Sequence, residues 1–159
     1  MKPYCVITRP SDFIEGVHWR WLTKDERKGT KWKATLLVDV LILRETGLKH
    51  DYMCWQGGQV WMILKPEGVL MKRGYSWNFN TSAPDLWGKL ASLPHDGLFQ
   101  FSGCFYFPRA IIDRMWANNF YYSLCEKSVA WAYRFGLALG SWWCWGNQPL
   151  HGEFVEPLP

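Results

Sequence analysis

From Ala34 to Arg44 the chain reads ATLLVDVLILR, rich in Leu and β-branched residues and too poor in polar positions for a surface helix. That run predicts a buried strand. Gly57-Gly58 lies between Cys54-Trp55 and Val60-Trp61, a hairpin signal because both glycines accept positive φ. A second turn, Lys65-Pro66-Glu67-Gly68, separates Val60–Leu64 from Val69–Arg73, with Pro presetting φ and Gly closing the turn. Residues 34–77 are therefore expected to form a small antiparallel sheet. Beyond Pro108, which suits a first helical position, the period changes: Ile112, Trp116 and Phe120 repeat every four residues and describe an apolar helix face. Ser128 is a candidate N-cap for a last helix. The apolar run Val129–Trp145 is 17 residues long and contains Arg134, short of the roughly 20 apolar residues a membrane span needs; it is expected to be a buried C-terminal helix. The expected fold is α+β in a single domain. Residues 1–33 form an N-terminal extension, 34–77 the sheet, 78–94 a polar loop, 95–146 a helical C-terminal half, and 147–159 an extended tail.

Composition narrows the class. A chain of 159 residues with 48% apolar and 20% charged residues is in the globular range. Twelve tryptophans are more than a domain this small readily buries, so some are expected to line a groove or a partner surface. The formal charge of +4 is dispersed. Its densest stretch, Lys24–Lys33, is interrupted by Asp25 and Glu26 and holds Trp32 as its one ring, which reads as a solvated face and does not favour nucleic-acid binding. Five cysteines form no C-x-x-C pair, and the first thirty residues carry charges throughout with no apolar h-region. Reduced thiols in a cytosol are the expectation, with no zinc site, since no two cysteines or histidines have ligand spacing.

The chemically informative residues lie between the two halves. A polar loop of turn formers runs from Gly74 to Asp85, followed by His95-Asp96-Gly97-Leu98-Phe99-Gln100 and then Asp113. In Gly74-Tyr75-Ser76-Trp77-Asn78, Ser82-Ala83-Pro84, Ala91-Ser92-Leu93, His95–Gln100, Arg109 with Asp113, and Arg134-Phe135-Gly136, the chain resembles an uncharacterised family encoded by tailed phages and prophages. The resemblance covers about residues 68–146. Two departures stand out: one extra loop residue, with Phe79 where the family has Gly, and Pro94 and Gly97 flanking the His-Asp pair, which would shorten the helix there.

The order of elements is also similar to calcium-dependent secreted phospholipases. That resemblance implies His95 as general base, Asp113 as the carboxylate orienting it, and Asp96 as a calcium ligand with Asn78, Asn80 and the carbonyls of residues 77–82. Trp77, Ser82 and Arg109 would contact the ligand. A structural alternative stands beside it, in which Asp96 complements a helix dipole and His95 packs with its nitrogens satisfied. Two functions follow as expectations. One is a phage accessory protein in the host cytoplasm that binds a host protein or small ligand, as in counter-defence. The other is a metal-assisted hydrolase of an ester or related bond. A groove lined by rings such as Trp55, Trp61 and Trp87, away from His95, favours the first; a polar cleft centred on His95 favours the second.

Overall fold

Both turns expected from their glycine and proline residues close hairpins. In the computed structural model, which describes residues 4–8, 17–78, 92–101, 112–115, 118, 131, 132, 135, 154 and 155, β5 (Tyr52–Gln56), β6 (Gln59–Lys65) and β7 (Gly68–Met71) form a continuous antiparallel meander. Gly57 and Gly58 have φ of 60° and 76°, the positive pair that a two-residue I′ loop demands.

The run from Ala34 to Arg44 is not one strand. It splits into β3 (Ala34–Leu36) and β4 (Asp39–Leu43), which belong to different sheets. The first part is held by Leu36 N–H donating to Tyr75 O and Leu37 N–H to His18 O. Asp39 opens the second part by accepting the Arg73 N–H (2.6 Å) and pairing with Lys72. The apolar run carried no mark of the break, because both parts are buried.

The N-terminal 33 residues, expected as an extension, contribute two strands, β1 (Tyr4–Ile7) and β2 (Trp19–Trp21). The larger sheet has the order β1-β4-β7-β6-β5-β9 and the smaller β2-β3-β8, where β8 is Ser76–Trp77 and β9 is Phe154–Val155 from the tail. β1 pairs with β4 in parallel, so the larger sheet is mixed and not purely antiparallel. A parallel pair needs a long crossover, and the segment between β1 and β4 supplies it while building most of the small sheet.

Alternation along the strands selects one buried face. Val40, Ile42, Cys54, Met62, Leu64, Val69 and Met71 are all fully buried, and the register sets Val40 and Met62 opposite Met71, and Ile42 and Leu64 opposite Val69. The small sheet adds Ala34, Leu36 and Trp77 to the same core. Onto this face packs α1 (Ser92–Gln100), which begins three residues before the expected start at His95. Pro94 sits within its first turn, where backbone N–H groups have no intrahelical acceptor, so proline costs little there.

Gly97 brings the helix close. A Cβ at this position would lie 2.7 Å from Met71 Cε and 3.2 Å from Met62 Sδ. Gly68, at the start of β7, faces backbone instead: its Cβ would fall 2.2 Å from Ile42 O. Residues 112–115, 118, 131, 132 and 135 are helical, giving an α+β chain. The last helix was expected to be buried, yet Trp131 and Phe135 are 42% and 68% exposed, because they share one side of it at i, i+4. Among the described residues no helix is long and apolar enough to cross a membrane. The described cysteines, Cys5 and Cys54, form no disulfide.

The two close-packed glycines separate in a denaturation experiment. Gly68→Ala forces a rigid backbone apart and should lose about 3 kcal/mol or more, whereas Gly97→Ala meets flexible thioethers and gains helix propensity of up to about 1 kcal/mol, leaving a small net change. Urea unfolding followed by circular dichroism measures both; equal losses would show that Met62 and Met71 cannot yield to a Cβ at residue 97.

Candidate functional site

Three of the expected site residues come together. His95 Nε2 lies 3.5 Å from Asp113 Oδ1, and its Nδ1 lies 3.6 Å from Asp96 Oδ1. His95 and Asp113 are both buried. At these separations the carboxylates act mainly as charges, since well-formed N–H···O bonds cluster near about 2.9 Å. The imidazole also stacks on Phe99, one turn further along α1, with centroids 5.6 Å apart. Burial pulls the imidazole pKa down, but Asp113 and Asp96 together outweigh it and leave it above the ordinary value of 6.5. The site therefore favours an imidazolium between two carboxylates.

Asp96 does not serve the helix dipole, because α1 has no acidic residue in its first turn and Asp96 is its fifth residue. Its Oδ2 instead accepts the backbone N–H of Asn78 at 3.2 Å, tying the helix to the end of β8. Asn78 Oδ1 is buried and accepts no hydrogen bond among the described residues. Of the expected calcium ligands, the described residues supply Asp96 and Asn78. Asp96 is already engaged on both oxygens, Asn78 approaches it with a donor, and calcium takes six to eight oxygens. Among the described residues no group of three or more His, Cys, Asp or Glu is placed to hold a metal ion. Asn80, Ser82, Trp87 and Arg109 lie outside the described residues. Trp77 is fully buried, edge-on to Trp19 at 6.1 Å; its ring is part of the core and offers no face to a ligand.

A second feature lies on another side of α1. Successive residues turn by 100°, so His95 and Gln100 point about 140° apart, whereas Asp96 and Gln100 share a side. Gln100 Oε1 accepts the Tyr75 hydroxyl (3.1 Å), and its Nε2 donates to Gln56 Oε1 (2.9 Å). Tyr75 is buried, and burial first, then the Asp96 charge, pushes its pKa well above 10.0. The phenol stays protonated and remains the donor, which fixes the direction of both amides. These residues, with Trp32, Gly57, Gln59, Trp61, Gly74 and Ser76, line a cleft of about 300 Å³. His95 is not in its wall.

Trp61 reaches this cleft through a β-bulge. Cys54 pairs with Met62 and Trp55 with Val60, so Trp61 is the extra residue in β6. A bulge re-aims the side chain it carries. The Trp61 indole N–H then donates to Gln56 O at 3.1 Å, and the ring lies so near Gly74 that a Cβ there would be 3.3 Å from it. The indole is thus held before any ligand arrives. Lys31 Nζ sits over the other cleft indole, Trp32, at 5.1 Å from its centroid. Of the rest of the basic stretch, Lys24, Arg27 and Lys28 are exposed and Lys33 is half-buried; Lys28 pairs with Asp25, and Glu26 is doubly bonded by Arg20 from just before the stretch.

Sequence reasoning named Trp61 but missed Trp32, Gln56, Gln59, Tyr75 and Gln100 as neighbours. The signal was present in Gln56-Gly57-Gly58-Gln59, two amides placed across a hairpin tip two residues before a tryptophan. Trp55, expected beside Trp61, does not line the cleft. No family model matches the chain, and neither a curated protein nor a solved structure is found to match it.

The raised pKa of His95 makes a signed prediction. Its stabilising contribution is fully present below 6.5, the unfolded value, and is lost as pH rises through the higher folded value. The difference in unfolding free energy between wild type and His95→Gln, from urea titrations across this range, should therefore shrink with rising pH. A difference that grows with pH would mean that His95 is buried neutral.

Proposed function

We propose that the chain is a phage-encoded accessory protein that binds a small ligand in the host cytoplasm, in counter-defence or host takeover, through the cleft between Trp32 and Trp61. One observation carries the reading: a bulged strand presents Trp61, already held by Gln56 and Gly74, at the wall of a cleft that His95 does not line. Ligand pockets begin at about 300 Å³, so this volume suits a small molecule better than a segment of a host protein. The phage assignment rests on the Gly74–Asn78, Ser82–Pro84 and His95–Gln100 motifs, and it carries with it a helical C-terminal half. Nucleic-acid polymers are not favoured as partners, because the exposed basic stretch is interrupted by its own acidic residues.

The second reading, a hydrolase of an ester or related bond, draws on the contact of His95 Nε2 with Asp113, which leaves Nδ1 toward Asp96. There His95 Nδ1 would take a proton from a water attacking the carbonyl carbon and return it to the departing alkoxide as the ester C–O bond breaks, while Asp113 holds the ring. The flanking carboxylates raise the ring's pKa, which suits a base as well as a structural pair, but His95 is not among the residues lining the cleft. Binding is therefore the better-supported function.

Native mass spectrometry of the protein purified from infected cells tests the two together. A small molecule should accompany the wild type and His95→Ala and be lost from Trp61→Ala, with circular dichroism confirming that each variant is folded. A ligand retained by Trp61→Ala and lost from His95→Ala would move the function to the histidine.

A further inference from the structure

Three properties of the cleft limit what it can take. Apart from Tyr75, kept as a neutral phenol by burial, the described residues of its wall have no ionisable side chain: Trp32, Gln56, Gly57, Gln59, Trp61, Gly74, Ser76 and Gln100 are all uncharged. Among them a charged moiety would find no counter-charge except Lys31 at the rim over Trp32, which favours a neutral group inside. The volume of about 300 Å³ is at the lower end of ligand pockets, enough for one ring system with a substituent and too small for an oligosaccharide.

The third property is directional. Because Tyr75 donates to Gln100 and Gln100 donates to Gln56 Oε1, the Gln56 Nε2 donor has no protein acceptor among the described residues. Gln59, exposed at the hairpin tip, adds a whole carboxamide. A carboxamide presents one donor and one acceptor in a plane, side by side. That pattern is complementary to the paired donors and acceptors along the edge of a nucleobase, where Gln makes bidentate contacts with adenine. Trp61 supplies a flat surface that is already fixed, and stacking on an aromatic ring accepts any base. Pyranose hydroxyls each donate as well as accept, and the described residues of the wall include no carboxylate to receive them.

We propose that the cleft binds a nucleobase, carried by a nucleoside or nucleotide, with the ring stacked on Trp61 and its edge read by the Gln56 and Gln59 amides. This rests on the cleft being the ligand site and adds the chemical class of the ligand. The sugar and any phosphate would then point outward, past the rim on which Lys31 lies over Trp32.

Isothermal titration with adenosine, guanosine, cytidine, uridine and their 5′-monophosphates, and with methyl glucoside and methyl galactoside as pyranose controls, tests it. At least one nucleoside or nucleotide should bind, and equal affinity of the two forms assigns recognition to the base, whereas a tighter monophosphate adds a phosphate contact at the rim. Trp61→Ala should weaken binding more than about tenfold, and Gln56→Leu or the exposed, fold-neutral Gln59→Ala about three- to tenfold. Trp21→Ala, on the small sheet away from the cleft, should change nothing. Binding of a pyranoside alone overturns the inference, as does nucleoside binding indifferent to Trp61, Gln56 and Gln59. If no base-containing compound binds up to about 1 mM while a co-purified molecule is still lost from Trp61→Ala, the nucleobase falls and the cleft stands; if Trp61→Ala releases nothing either, both fall.

Discussion

The missing side chain at Gly97 sets the distance between α1 and the larger sheet. Met62 and Met71 occupy the space that a Cβ would need, so the helix rests almost backbone-to-side-chain on the strands. Everything functional on the helix inherits its height from that contact. Seated there, α1 brings Asp96 to the Asn78 N–H and Gln100 to Tyr75 and Gln56. The same placement directs His95 to the other side, against Asp113. One short helix thus carries a charged, buried cluster and contributes to an open cleft, with Asp96 lying between His95 and Tyr75.

The two sides differ in the work they suit. Around His95 the groups satisfy one another: a ring whose protonated form is favoured by carboxylates on both of its nitrogens, in a site from which water is largely excluded. Such a cluster ties a helix to its neighbours, and breaking a buried pair of this kind by removing one partner typically costs about 3–5 kcal/mol. Around Trp61 the groups point outward with capacity to spare. The indole N–H is committed to Gln56 O while the half-buried ring lines the cleft, and the amide chain ends on a Gln56 donor with no acceptor among the described residues. Pre-organisation of this kind lowers the ordering cost of binding.

Much of the architecture was legible because its signals are local. Gly57-Gly58 and Lys65-Pro66-Glu67-Gly68 specify their turns with a few residues, and the meander follows from them. The division of Ala34–Arg44 between two sheets was not legible, since Leu36 and Val40 are equally buried on either side of the bend. Nor was the pairing of β1 with β4, which joins residues far apart in sequence by backbone hydrogen bonds that leave no compositional trace. At the site, the convergence of His95 with Asp113 was readable from helix spacing and a short connection. The bulge that delivers Trp61 was not, because it depends on register across the hairpin. The amide chain was hidden for a similar reason: Gln56, Tyr75 and Gln100 come from three separate elements.

In the proposed function, ligand enters the Trp32–Trp61 cleft and leaves the histidine cluster undisturbed. Side-chain NMR addresses it directly, by following the carboxamide NH₂ signals of Gln56, Gln59 and Gln100, the Trp61 indole N–H and the His95 ring as a small-molecule extract of bacterial cells is added. The glutamine and indole signals should shift together while the His95 ring signals stay fixed. Shifts confined to the His95 ring, with the amides unmoved, would contradict it.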